Sequence, residues 1–177
     1  MRPPAGRARP WVRVRSWLGD WVVVAGWLVL LGLLSFFLLD GFSATPVDPP
    51  SAAELLPYDL LIAVATVLPF LLYLVVTESS ASHASLGKRW NHLTVRSISG
   101  AAPSRRSVWI RNLVKVLPWQ LAHLAVSRFI LDTQLPTAII FDVAALALLG
   151  LVAVPALTGG QGLHDRLAGT VVTRVPR

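Results

Sequence analysis

The chain has no cysteine among its 177 residues. That single absence removes disulfide frameworks, thiolate metal sites and cysteine nucleophiles. Charge is scarce as well: 14% of residues are Asp, Glu, Lys or Arg, while 54% are hydrophobic. A soluble domain carries roughly 25% charged residues, so an ordinary water-soluble globule is not expected. Disorder is excluded too, because it requires low hydrophobicity. Catalytic signatures are also missing. His83, His92, His123 and His164 are scattered, without H-E-x-x-H spacing, and no G-x-S-x-G elbow occurs. The glycine-rich Gly159-Gly160-Gln161-Gly162 lacks the lysine and the strand–loop–helix setting of a phosphate loop. No enzyme activity, cofactor or metal site is expected. What charge there is leans one way, with 16 Lys and Arg against 9 Asp and Glu, a net +7. Such an excess fits either nucleic-acid binding or a membrane protein with its basic residues gathered on one side.

The hydrophobic residues come in runs. Trp21 to Leu39 carries no charge and approaches the roughly 30 Å of a bilayer core. A signal peptide would have a shorter apolar region, about 7–15 residues, and a better cleavage site than Gly41-Phe42-Ser43. An uncleaved first span over 17–39 is therefore expected. A second span covers 58–77 and contains Pro69, read as a kink because spanning helices tolerate proline. The third run, 113–131, is weaker, with Lys115, His123 and Arg128 inside it and Arg111 just before. It reads either as a span or as an amphipathic helix lying on the membrane surface. The fourth, 137–157, is interrupted only by Asp142 and Pro155.

Charge supplies the topology. Arg2, Arg7, Arg9, Arg13 and Arg15 precede the first span, residues 1–12 forming a basic tail. Lys88, Arg89, Arg96, Arg105 and Arg106 lie in the loop 78–112, with Arg111 and Lys115 at or just beyond its end, and Arg166, Arg174 and Arg177 follow the last span. The loop 40–59 has Asp40, Asp48, Glu54 and Asp59 and no basic residue. Since Lys and Arg stay on the cytoplasmic side, the pattern predicts a multi-pass protein of the cell membrane with both termini cytoplasmic. It also requires an even number of spans, hence an all-α bundle of about four. Arg128 is left over, free to snorkel outward or pair with Asp132. Positive-inside charge without any helix-turn-helix, zinc spacing or RNP-like pattern argues against nucleic acid. Partners expected instead are the lipid bilayer, anionic head groups included, another membrane protein or further copies of the chain.

Ionisable residues within spans are costly and often functional. Asp20 follows Arg13 by two helical turns, on the same face. His123 and Asp142 are the other intramembrane polar candidates, able to share a proton or simply to bond between helices. On the cytoplasmic side, Leu93 to Ile98 and Gly169 to Val175 are β-prone. They are expected to meet as a small sheet over the bundle, the alternative being an independent tail.

These residues resemble the RDD family of small bacterial membrane proteins. Arg13-x-x-Ser16-x-x-x-Asp20 is similar to that family's opening R-x-x-A-x-x-x-D, with serine where alanine is usual. Glu78-Ser79-Ser80, Ser85-Leu86-Gly87-Lys88-Arg89 and Arg111-Asn112-Leu113 resemble its inner-loop elements. Gln161-Gly162-Leu163-His164-Asp165-Arg166-Leu167-Ala168-Gly169-Thr170-Val171-Val172 resembles its closing motif L-H-D-x-x-A-G-T-V-V. The resemblance implies a polytopic membrane protein in which Arg13, Asp20 and Asp165 are the named trio, supported by Glu78, Lys88, Arg89, Arg111 and His164. It points to a charge network that is either structural or part of transport, cation–proton exchange having been proposed for some members. A structural or accessory role is the reading carried forward. A small cation–proton exchanger is the first alternative, and an enzyme with a site at Asp20, Asp165 and His164 the second.

Overall fold

The computed structural model describes residues 8–38 and 50–175. Arg2, Arg7, Asp40, Asp48 and Arg177, which entered the charge pattern, lie outside them. Helix α1 spans Pro10–Leu38 and begins seven residues before the expected span. Proline suits this start, because the first-turn N–H would have no helical partner. The preceding residue pair is not a loose tail: Ala8 is buried against Leu93 and Val172, and its N–H reaches the Val172 carbonyl at 3.4 Å.

The second long helix runs without interruption from Ala52 to Ser79. It comprises α2 (Ala52–Ile62), a wide π turn (Ala63–Val67) and α3 (Leu68–Ser79). A capping box starts it: Ser51 Oγ accepts from the Glu54 N–H, and Glu54 Oε2 accepts from the Ser51 N–H at 2.8 Å. Glu54 and Asp59, expected in a loop, therefore belong to the helix. Pro69 has no N–H to give the Ala65 carbonyl. That carbonyl is taken instead by the indole N–H of Trp27 from α1, at 2.8 Å. The proline is thus compensated by a neighbouring helix, as membrane helices require.

After α3 come a five-residue helix α4 (Leu86–Trp90), strand β1 (Leu93–Ser97) and the long α5 (Arg105–Ile130), capped by Ser104. A tight turn leads to α6 (Leu135–Leu157), then the short α7 (Leu163–Ala168) and strand β2 (Thr170–Arg174). The strands pair antiparallel, with Leu93 opposite Arg174, Val95 opposite Val172 and Ser97 opposite Thr170. The expected sheet forms. Gly169 makes the turn into it at φ +62°, a left-handed conformation that glycine adopts without strain.

The apolar core joins α3 to α5, where Leu71, Leu74 and Val75 pack on Val108 and Val116. Helix α5 also lies along α6. Among the described residues three helices are long and apolar enough to cross a membrane: Pro10–Phe37, Ala52–Ser79 and Leu135–Pro155. Their outer faces leave large apolar side chains such as Phe37, Ile140 and Val22 uncovered, a surface suited to lipid and not to water. Helix α5 falls short of that apolarity. Its four basic residues up to Lys115, and Arg128 at its far end, lower the average.

Arg128 corrects the sequence reading. It neither snorkels outward nor pairs with Asp132. It is buried, and its guanidinium grips the Asp59 carboxylate with two parallel bonds, Nη1–Oδ1 at 3.2 Å and Nη2–Oδ2 at 2.8 Å. The Phe141 ring lies 5.4 Å from its guanidinium carbon. Asp132 is two residues past the helix end with φ +47°, in the turn that bends the chain toward α6. Side-chain spacing on one helix could not reveal a partner on another.

Candidate functional site

Where the bundle meets the sheet, six segments bring their polar side chains into one buried cluster. Asp20 comes from α1, nearly three turns beyond the start of the helix. Gly87 allows α4 to lie directly on α1 at this level. A Cβ built on Gly87 would strike the Ser16 carbonyl oxygen and the Asp20 amide, and one on Gly19 would stand 2.9 Å from the Gly87 Cα. The close approach lets the Gly87 N–H donate to Asp20 Oδ1 at 3.0 Å. The same oxygen accepts from the Tyr73 hydroxyl at 2.8 Å, while Oδ2 accepts from Ser85 Oγ at 2.8 Å. Tyr73 is itself held by the Leu86 N–H, which donates to its oxygen at 2.9 Å.

Lys88 links this acid to the next. Its Nζ is 3.9 Å from Asp20 Oδ2 and 2.8 Å from Glu78 Oε1. Glu78, wholly buried at the end of α3, also accepts at Oε2 from Arg111 Nε at 3.1 Å and Asn112 Nδ2 at 3.0 Å. Arg111 then turns its Nη1 to Asp165 Oδ1, which also accepts from Thr170 Oγ1 at 2.9 Å. His164 Nε2 stands 3.5 Å from the other Asp165 oxygen. One chain of contacts therefore runs Asp20–Lys88–Glu78–Arg111–Asp165, joining α1, α3, α4, α5 and α7, with Thr170 adding β2. Lys115, one helical turn beyond Arg111, stands close enough for its charge to act on both Asp20 and Glu78. Three carboxylates thus face three basic side chains, Lys88, Arg111 and Lys115.

His164 is held in its neutral form. Burial and the neighbouring Arg111 and Lys115 charges push its pKa well below the ordinary value near 6.5. Its Nδ1 is buried without a hydrogen-bond partner among the described residues. Gly162 leaves room for the ring, since a Cβ there would come within 2.9 Å of Nδ1.

Of the residues singled out from sequence, Asp20, Glu78, Lys88, Arg111, His164 and Asp165 are brought together. Arg13 sits at the edge of the cluster, where its Nη1 donates to the Gly160 carbonyl at 2.9 Å and ties α1 to the segment leading into α7. Arg89 is exposed on the outer side of α4. His123 and Asp142 are not joined: His123 Nδ1 meets the Trp119 carbonyl of its own helix at 2.8 Å, and no bond of Asp142 occurs among the described residues. Tyr73, Ser85, Lys115 and Thr170 belong to the cluster without having been identified. Tyr73 offered one signal, a phenolic hydroxyl amid the leucines and valines of the second span. Among the described residues no group of three His, Asp or Glu side chains is placed to hold a metal ion.

No curated protein and no solved structure matches this chain. The RDD family profile matches it over residues 7–169. That range takes in every member of the network except Thr170 and nearly the whole chain, and the three apolar helices suit a bilayer. The chain belongs to the RDD family of membrane proteins.

Proposed function

We propose that this protein is a four-span protein of the cell membrane, with both termini cytoplasmic and with a structural or accessory role, not a catalytic one. Helix α5 is the remaining span. Its 26 residues reach about 39 Å, and its charges are not bare: Arg111 is bound by Glu78 and Asp165, and Arg128 by Asp59. A paired charge costs far less at membrane depth than a free one. The basic residues of the segments 78–112 and 158–175 then share the cytoplasmic side with the sheet. There they would draw the protein to anionic lipid or to an acidic partner.

The observation that carries the structural reading is how nearly the acids are saturated. Five of the six carboxylate oxygens of Asp20, Glu78 and Asp165 are hydrogen-bonded or ion-paired within the chain, and the sixth, Asp165 Oδ2, stands 3.5 Å from His164 Nε2. Such a network clamps the sheet and the short helices onto the bundle and commits its acids to partners within the chain. Melting of the detergent-solubilised protein tests this: Asp20→Asn should lower the transition, and an unchanged melting curve rejects the clamp. Cation-dependent proton flux in proteoliposomes tests the exchanger alternative, which wild-type flux would put in place of this reading. Single cysteines at Ser104 and Thr133, introduced into a chain that has none, test topology. Label should reach Ser104 only from inside and Thr133 only from outside; labelling of Thr133 from inside refutes four spans.

A further inference from the structure

A cavity of about 460 Å³ opens between α1, α3 and α5, on the lipid side of the network. Its size and its mostly apolar wall match those of sites that hold small molecules between the helices of a bundle. Trp21 and Trp119 meet edge to face at 4.7 Å across it, and Phe70 and Tyr73 stack at 6.1 Å. No Asp, Glu, Lys or Arg lines it, so neither an ion nor a charged head group would find a counter-charge there.

Its polar groups are few: three are committed, and the indole N–H donors of Trp21 and Trp119 make no hydrogen bond among the described residues. Thr66 Oγ1 donates to the Ile62 carbonyl, the Trp27 indole to the Ala65 carbonyl, and the Tyr73 hydroxyl to Asp20. His123 is different. A carbonyl can only accept, so the contact with Trp119 O makes Nδ1 the protonated nitrogen. In the neutral ring Nε2 is then a bare acceptor, and no bond to it occurs among the described residues.

We propose that this cavity binds an uncharged lipid alcohol, its hydroxyl donating to His123 Nε2 and its hydrocarbon filling the aromatic-walled space. A phospholipid acyl chain carries no donor for that nitrogen.

Intrinsic fluorescence tests the site, because three of the seven tryptophans line it. The full chain in phosphatidylcholine nanodiscs is titrated with ω-bromoundecanol and, separately, with bromoundecane. Expected is saturable quenching by the alcohol, reversed by unbrominated undecanol, and only unsaturated, partition-type quenching by the bromoalkane. His123→Leu should weaken the alcohol about fivefold, the worth of one hydrogen bond. Val126→Phe, which fills the cavity from its wall, should abolish saturation, and it serves as the second variant if His123→Leu fails to fold. Equal saturable quenching by the bromoalkane, or an unaltered His123→Leu titration, overturns the proposal. So does disulfide-linked dimer formed by Val126→Cys, which would mean that a second copy covers the opening.

Discussion

Arg111 Nε donates to Glu78 Oε2 across 3.1 Å while its Nη1 holds Asp165, so one guanidinium fastens the end of α3 to α7. Arg111 and Glu78 are 1% and 0% exposed. Removing one member strands the other in a medium that solvates charge poorly. Glu78→Gln should cost about 3–5 kcal/mol, read as a lowered melting temperature in detergent. The double variant Glu78→Gln/Arg111→Met should lose less than the sum of the single losses, because the two residues share one interaction. Additive losses would mean that the pair is not coupled.

Glycines of similar appearance should behave differently. Gly87→Ala drives a methyl into the α1 backbone and should lose several kcal/mol or the fold itself, since a backbone–backbone contact cannot yield as a flexible side chain can. A Cβ on Gly26 or Gly32 meets nothing within 4 Å. Alanine there should be neutral or slightly stabilising, given its better helix propensity. Melting curves of the three variants check the contrast.

At the other end of α5, Asp59→Asn should destabilise by about 3–5 kcal/mol because it leaves Arg128 buried without its counter-ion. Asp132→Asn should be close to silent. Equal effects from the two aspartates would contradict the Arg128–Asp59 pairing.

His164 sets a pH dependence with a definite sign. Its folded pKa lies below the ordinary value near 6.5, so below that pH the unfolded chain binds a proton that the folded chain refuses. Stability contributed by neutral His164 is complete above about pH 6.5 and declines as the pH falls below it. Melting temperature should therefore drop between about pH 6.5 and 5 more steeply in the wild type than in His164→Gln. Parallel curves would show that His164 charges freely in the fold.

Much of the fold was legible because each of its signals is local. Uncharged runs marked α1, α3 and α6, and β-prone stretches after turn residues marked both strands. Boundaries were less so: the Ser51–Glu54 capping box carried the second helix back to Ala52, through a stretch whose acids had looked like loop. The network was half legible. The family pattern named Asp20, Asp165, Lys88 and Arg111, yet Tyr73, Ser85 and Thr170 are ordinary residues until α3, α4 and β2 fold against their partners.

The sequence alone determined that this is a helical membrane protein with its basic residues segregated, since hydrophobic length and charge position are properties of single segments. Only the tertiary structure decided how the charges pair. Arg128 found Asp59 and not Asp132, Arg13 reached Gly160, and Arg89 was left outside. In a buried setting an ion settles on whichever partner the packing brings within about 3 Å, because desolvation leaves no cheaper alternative. That partner was set by the contact of whole helices, which no spacing along one of them encodes.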